Sequence, residues 1–521
     1  MSLQTIVKRN AYYDSATLLL LSRELQKIAG VEDVLVGMGT DLNLNLARDL
    51  NLATSDFDTL TVNDLFIAAR FDETKTSMEA IEQAFNDYLN KGADTSENED
   101  YMPPSLRAAV QNMPGANMVL VSLPGQFAAA EVEEALDAGL HVMLFSDNVS
   151  VEEELRLKQK AVEKGLLMMG PDCGTAIING VPLCFANAVR RGKIGVVGAS
   201  GTGTQEVTVQ VHRLGGGLSQ VIGTGGRDLK EQIGGLMMIQ SFEALIADPE
   251  TEVIVLISKP PFPSVAEKIY TIAKNSPKPV VIDFIGGDRA AIEASGAVAC
   301  ISLEDAAQKA VSVLNGQPVK DFTGFSVPEA EVDQMVENVV AKLMSDQTEL
   351  RALFTGGTLA DEAMKLLGDH YQIYSNIPLT PEMAIQNLPG GRGHICLDLG
   401  EDEFTRGRPH PMIDPQTRTE FFESHVDGQT AVILVDVVLG FGSYVDPAGA
   451  VADSVREIRT RLAKENKDVI VIASVCGTDL DRQDLNKSIS TLEAEGIIVM
   501  PSNAQAVRLT DKVMQRMMKG V

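Results

Sequence analysis

The chain has 521 residues, 45% of them hydrophobic, which is too much sequence for one core and implies three or four domains. A formal net charge of −28, with 5% aromatic residues, excludes nucleic acid as a partner, since no Lys/Arg cluster offsets the repulsion. No apolar run reaches the ~18 residues of a membrane span, so no membrane association is expected.

The opening MSLQTIVKRNAYYDS lacks the apolar core of a secretory signal. Residues 1–90 then read as a small α/β domain of three strand–helix pairs. Its strands are LQTIVKR, VEDVLVGM and DLFIAAR, and its helices are SATLLLLSRELQKI, TDLNLNLARDL and MEAIEQAFNDYL. The polar stretch 91–105, KGADTSENEDYMPPS, reads as a linker. Over 106–190 the alternation repeats with NMVLVSLPG, HVMLFSDN and LLMMGPDCG as strands, apolar on both faces as in a covered parallel sheet. A third round spans 191–312, with KIGVVGAS, LSQVIGTGG, EVIVLISKPP and PVVIDFIGG. Residues 313–349 hold a linker and one amphipathic helix, and 350–521 give a last round from LRALFTGG to GIIVMPS. Such alternation predicts α/β architecture in several doubly wound domains, with ligands beyond the carboxyl ends of the strands.

That is where the chemistry-bearing residues fall. In GASGTGTQE (198–206), Ser200, Gly201, Thr202, Gly203 and Thr204 offer close backbone approach, hydroxyls and a helix start with its positive partial charge. The pattern is neither a Walker A loop nor a dinucleotide fingerprint. It is either an anion seat or a turn in which Ser200 is an N-cap. VDVVLGFGSYVDPAG (435–449) has the same grammar through Gly440, Gly442 and Ser443, and the two turns are expected to share one anion. FTGGTLADE (354–362) is a similar third turn, in which Gly356, Gly357 and Thr358 precede a helix with Asp361 and Glu362 in its first turn; the alternative is an ordinary capped helix. Arg227, oriented by Asp228, is a strand-end cation suited to an anionic ligand; Lys259, at another strand end, is a catalytic candidate or is simply solvated. His410, stiffened by prolines on both sides in GRPHPMIDP, is the candidate acid, base or nucleophile; the alternative is a rigid loop whose histidine caps a carbonyl. Five scattered cysteines without a CxxC pair indicate a reducing, cytoplasmic setting, and no metal-ligand spacing appears.

The stretch from MVLVSLPGQFAAAEVEEALDAG to GPDCGTAI, with KIGVVGASGTGTQEV, IGTGGRD and DPETEVIVLISKPP, resembles the α subunit of succinyl-CoA synthetase. ICLDLGEDEFTRGRPHPMIDP and AVILVDVVLGFGSYVDPAGAV resemble the carboxyl domain of its β subunit. The fused order is most similar to the FdrA proteins, usually labelled acyl-CoA synthetases. The resemblance covers roughly 105–310 and 350–521. It implies a Rossmann-like CoA-binding-type domain at 106–190 and flavodoxin-like ligase domains at 191–312 and 350–521. It also implies two helices aimed at a shared phosphate, which matches 200–204 with 440–443. The residues falling on the family's CoA or acyl pocket are Ser122, Pro124, Ser146, Asn148, Pro171 and Cys173, with Arg227 and Arg408 as anion contacts. CoA and phosphate, or an acyl or carbamoyl phosphate, are the implied ligands.

The sequence also departs from that family. Its phosphohistidine loop, Gly-His-Ala-Gly, has no counterpart in VVIDFIGGDRAAIEASGAVAC, and no ATP-grasp segment is found. ATP is therefore not expected to bind this chain alone, and a homo-oligomer with a separate catalytic partner subunit is expected. Three functions stay open: ligation of a small carboxylate through an acyl phosphate; an ATP-independent carbamoyl transfer between oxamate and phosphate, as in allantoin breakdown; and non-catalytic ligand sensing.

Overall fold

In the computed structural model the described residues are 2–9, 11, 13, 15–91, 103, 105–406 and 408–519. The linker read at 91–105 lies mostly outside them. The chain forms two compact units: 1–114 with 122–124 and 405–409, and the remainder.

In the first unit, β1 (Ser2–Lys8), α1 (Ser15–Gln26), β2 (Val31–Met38), α2 (Asp41–Asp49), β3 (Leu65–Phe71) and α3 (Met78–Lys91) precede the short α4 (Leu106–Asn112). The strand order is β1-β3-β2, with both pairings antiparallel. This corrects the doubly wound expectation for this domain. The segment 39–64 returns the chain so that β3 runs back between β1 and β2, a split β-α-β arrangement. Period-two alternation along β3 serves two cores. Leu65, Ile67 and Phe71 pack with Leu21, Ile81 and Phe85, while Phe66 and Ala68 pack with Leu52 and Phe57.

The second unit opens with β4 (Met118–Val121), α5 (Gly125–Asp137), β5 (His141–Leu144), α6 (Val151–Lys164) and β6 (Met168–Met169), a three-stranded parallel sheet. Next comes a hairpin, β7 (Thr175–Ile178) and β8 (Val181–Cys184), turned by Asn179 and Gly180 at positive φ. Grouped with 106–190 in the sequence, the hairpin instead joins the next sheet through β10. That sheet continues with β9 (Arg191–Gly198), α7 (Gly201–Arg213), β10 (Leu218–Gly223), α8 (Leu236–Ala247), β11 (Val253–Ser258), α9 (Pro263–Asn275), β12 (Val280–Phe284), α10 (Arg289–Ala294), β13 (Val298–Ala299) and α11 (Leu303–Leu314). Its order, β13-β12-β11-β9-β10-β7-β8, contains the flavodoxin-like pattern 2-1-3-4-5 over β9 to β13.

After α12 (Glu329–Val340), the last sheet is built from β14 (Glu349–Phe354), α13 (Gly357–Leu367), β15 (Ile373–Tyr374), β16 (His394–Asp398), α14 (Asp402–Thr405), α15 (Gln416–His425), β17 (Thr430–Val438), α16 (Pro447–Leu462), β18 (Ile470–Cys476), α17 (Leu485–Ala494), β19 (Ile498–Met500) and α18 (Asn503–Lys519). Its order is β15-β16-β14-β17-β18-β19, all parallel. In each large sheet one strand, β9 or β14, sits at the switch point, and its following helix begins there.

The two large sheets are joined through reciprocal caps. Glu206 of α7 accepts the N–H of Asn503, the first residue of α18, at 3.2 Å. Glu362 of α13 accepts the N–H of Leu303, the first residue of α11, at 2.8 Å, and the Asn503 side chain donates to Glu362 at 2.8 Å. Because α13 begins at Gly357, neither Asp361 nor Glu362 lies in its first turn as expected from sequence. Each first helix caps the last helix of the other sheet. Burial pushes both carboxyls up, Glu362 to about 8.

A second tie links the three-stranded sheet to the seven-stranded one. Lys158 of α6, fully buried, pairs with Glu154 at 2.9 Å and Asp228 at 2.8 Å and donates to the Thr224 carbonyl at 3.0 Å. Asp228 also accepts the N–H groups of Met237 and Met238 at the start of α8. Replacing Lys158 by Met leaves buried Asp228 without its cation and Glu154 with Arg227 alone, so a loss of about 3–5 kcal/mol is expected. A lowered thermal unfolding midpoint by calorimetry checks it; an unchanged midpoint contradicts it.

Candidate functional site

The turn into α7 is built by Ser200, whose Oγ accepts the Gly203 N–H at 3.1 Å, so the N-cap reading of Ser200 describes its backbone role. The N–H groups of Gly201 and Thr202, at the first two helical positions, have no intrahelical acceptor. The same Ser200 Oγ lies 2.6 Å from Thr358 Oγ1. A Cβ on Gly203 would strike Ser200 Oγ and lie 2.8 Å from Thr358 Cγ2, and one on Gly356 would lie 2.8 Å from Thr202 Cβ. The helix start that meets α7 is therefore that of α13, in the third of the turns read from sequence.

The residues placed opposite in the sequence reading pack elsewhere. Gly440 and Gly442 lie against Ala186 and Phe185, the Phe441 N–H donates to the Ala186 carbonyl at 2.8 Å, and Gln483 brackets Gly440. They connect to α7 indirectly: Gln205 donates to Asn187, and Asn187 donates to the Leu439 carbonyl. Ser443 Oγ is buried with no hydrogen-bond partner among the described residues.

The start of α13 has no side-chain cap. It is fixed from below by Asp436 of β17, whose carboxylate accepts the Thr355 and Gly356 N–H groups and the Thr355 hydroxyl at 2.8–2.9 Å and pairs with Arg418 of α15 at 3.1 Å. Beside it lies Asp398, the last residue of β16. Its Oδ1 accepts the Gly400 N–H at 2.9 Å, and its Oδ2 occupies the space that a Cβ on Gly357 would need. Burial, then the charge of Glu401, pushes Asp398 up to about 7, and Lys259 opposes this. Lys259 is exposed just past the end of β11.

His410 borders the same corner. A Cβ on Gly400 would lie 2.6 Å from His410 Nε2 and 3.2 Å from Asp398 Oδ1. The ring packs against Phe185 at 5.6 Å, and Nδ1 accepts the Met412 N–H at 3.1 Å, so Nε2 carries the proton of the neutral ring. Burial lowers His410 to about 4. This fits a neutral hydrogen-bond donor rather than the base or nucleophile expected from sequence. Asp398 was missed there; CLDLG signals only a strand-end acid, and its titration near neutrality depends on burial.

The remaining candidates divide. Arg227 pairs with Glu154 at 2.9 Å and donates to the Val149 carbonyl at 2.7 Å, and Asp228 serves Lys158, so neither matches the anion-orienting pair expected. Ser146, Asn148, Pro171 and Cys173 cluster at the ends of β5 and β6, where Ser146 Oγ is buried without a partner among the described residues. Cys173 is buried and pushed up to about 12 by loss of water, which makes it inert as a nucleophile. Asp172 keeps solvent access, but crowding by protein and then by Asp147, Asp402 and Glu401 pushes it up to about 7. Ser122 and Pro124 follow β4, and Arg408 lies exposed between α14 and α15, all three in the first unit.

Family models match three stretches: a CoA-ligase over 353–513, a CoA binding domain over 189–286, and a domain described as AllF, heavy metal-associated, over 1–103. The CoA-ligase and CoA-binding matches thus fall on the two larger sheets. The CoA-binding match falls on 189–286, not on 106–190 where the sequence reading put it. Over 510 residues the chain is 43% identical to the uncharacterized protein YahF of Escherichia coli, covering 96% of this chain and 97% of that one. The chain belongs to the YahF family.

It is also 33% identical over 172 residues to the α subunit of the ADP-forming succinate–CoA ligase of Aquifex aeolicus, 32% of this chain and 55% of that one. With the malate–CoA ligase α subunit of Methylorubrum extorquens it shares 30% identity over 208 residues, 38% of this chain and 69% of that one. The chain thus spans little more than half of the first of these subunits. The dinucleotide-forming acetyl-coenzyme A synthetase 1 of Ca. Korarchaeum cryptofilum aligns over 86% of this chain and 96% of its own at 15% identity and a TM-score of 0.34, too distant to inform the site.

The heavy-metal description does not fit the residues it covers. The first cysteine is Cys173 and the first histidine His141, so residues 1–103 hold no thiolate or imidazole for a soft metal. Among the described residues no group of three or more His, Cys, Asp or Glu side chains could hold a metal ion, and no helix is long and apolar enough to cross a membrane.

Two predictions follow from the packing. Gly203→Glu is expected to force the starts of α7 and α13 apart and to cost about 1–3 kcal/mol or more. Its thermal midpoint checks this. For His410, the imidazole Cε1–H signal in proton NMR is expected to hold its neutral position down to about pH 5. The sign follows from the lowered value: the unfolded chain binds this proton first, so the contribution of His410 to stability is full above about 6.5 and fades as pH falls toward 4. Titration near 6.5 would contradict it.

Proposed function

We propose that the chain is an acyl-CoA synthetase-like enzyme, or a subunit of one, of the FdrA type. It holds the phosphate end of a small carboxylate's mixed anhydride where α7 and α13 begin. The observation that carries this reading is the 2.6 Å contact of Ser200 and Thr358, which brings two helix starts from two switch points together. Each charge-assisted N–H contact to such an anion contributes about 1.5–3 kcal/mol, and donors already fixed in place stabilise charge that develops during reaction. The CoA-ligase and CoA-binding matches cover the two sheets that supply these helices. Relatives named as succinate–CoA and malate–CoA ligase subunits support a small carboxylate as substrate. CoA belongs at the strand ends bearing Ser146, Asn148 and Pro171. ATP enters with a separate partner subunit in a cytoplasmic oligomer.

A second reading, carbamoyl transfer to phosphate without ATP, is favoured by the histidines. All six are engaged: His141 with Leu167, His212 with Arg190 and Asp479, His370 with Asp511, His394 with Leu350, His410 with Met412 and His425 with Ser424. A phosphohistidine carrier has no ready candidate beside Ser200. In this reaction a phosphate oxygen bonds to the carbamoyl carbon. The bond from that carbon to the oxamate nitrogen breaks, and that nitrogen takes a proton. The cradle then stabilises carbamoyl phosphate, another mixed anhydride.

The deciding assay uses the full chain with its co-purifying partners. ADP formed from ATP, CoA and a carboxylic acid is the result the ligase predicts. Phosphate-dependent cleavage of carbamoylated oxamate without ATP is the result the transferase predicts. Ligand binding with neither reaction would contradict both and leave a sensor.

A further inference from the structure

Asp398 stands where three elements converge on the start of α13. Its peptide is clamped by Asn376, whose side chain accepts the Asp398 N–H at 3.0 Å and donates to its carbonyl at 2.9 Å. This fixes a side chain only 4% exposed, with one oxygen on the Gly400 N–H and the other against Gly357. An ionised carboxylate here is an internal anion. It occupies the positive pole of α13 and repels any second anion that approaches the pole of α7 beside it. A neutral carboxyl removes that repulsion and adds an O–H donor. We propose that Asp398 is a ligand-binding residue of this seat that works in its protonated form, donating its carboxyl O–H to an oxygen of the bound anion.

The proposal rests on the reading of the α7 and α13 starts as an anion seat. The charged and titratable groups around Asp398 bear on its proton. Glu401, from the loop after β16, favours the neutral form, as does Asp436 of β17, itself paired with Arg418 of α15; Lys259, at the end of β11, favours the charged form. His410, on the far side of Gly400, stays neutral above about pH 5. With Asp398 titrating near 7, the seat fills as pH falls through neutrality.

Sulfate is the probe, because its own charge does not change between pH 6 and 8. Calorimetric titration of the full chain, in buffers of different ionisation enthalpy, reads both affinity and protons taken up. Wild-type affinity is expected to fall roughly 10-fold from pH 6 to pH 8, with about one proton taken up per sulfate at pH 8. Asp398→Asn should bind with affinity flat within about two-fold and without proton uptake. Glu401→Gln should move the wild-type midpoint to lower pH, which decides the matter if Asp398→Asn does not fold. Asp172→Asn should retain the wild-type profile. Sulfate binding with an unchanged pH dependence in Asp398→Asn, or loss of that dependence in Asp172→Asn, overturns the role of Asp398. If folded wild type binds no sulfate even at pH 6, the anion seat itself fails.

Discussion

Two helices whose positive ends are in contact form an arrangement that favours an anion. The starts of α7 and α13 touch through Ser200 and Thr358, each carrying partial positive charge from unsatisfied N–H groups. The surrounding fold holds them there. Each helix follows the strand, β9 or β14, at the switch point of its sheet. Asp436, neutralised in part by Arg418, ties down the turn before α13. Glu206 and Glu362 cap the last helix of the opposite sheet, so neither sheet completes its own helix ends without the other.

Under the proposed reading, a chain with a net charge of −28 holds an anionic ligand. Little of the work falls to basic side chains. Arg227 and Lys158 are consumed by Glu154 and Asp228 in holding the smaller sheet, and Lys259 is the strand-end cation whose charge reaches Asp398. In the proposed seat, backbone donors take their place.

Much of the architecture was legible in the sequence, because apolar strand runs and amphipathic helices carry their periods locally. The α/β class and the placement of glycine-rich turns at strand ends follow from that alone. Strand direction does not: LFIAARF reads the same whether β3 runs parallel or antiparallel. The Asn179-Gly180 hairpin was readable from its turn residues, whereas its pairing with β10 is a long-range fact. The seat was half legible. Three Gly/Ser/Thr turns look alike at 200–204, 356–358 and 440–443, and which two meet depends on strand order and on Asp436. Asp398 and His410 take their protonation states from burial, which no spacing encodes.

The account stands or falls on whether one anion touches both helices. Crystals soaked in selenate, with diffraction recorded at the selenium edge, give the most direct answer. The account predicts one anomalous peak within hydrogen-bonding reach of the Gly201 or Thr202 N–H and of the α13 start at Gly357 or Thr358. A peak confined to 440–443, or no peak at either helix start, would contradict it.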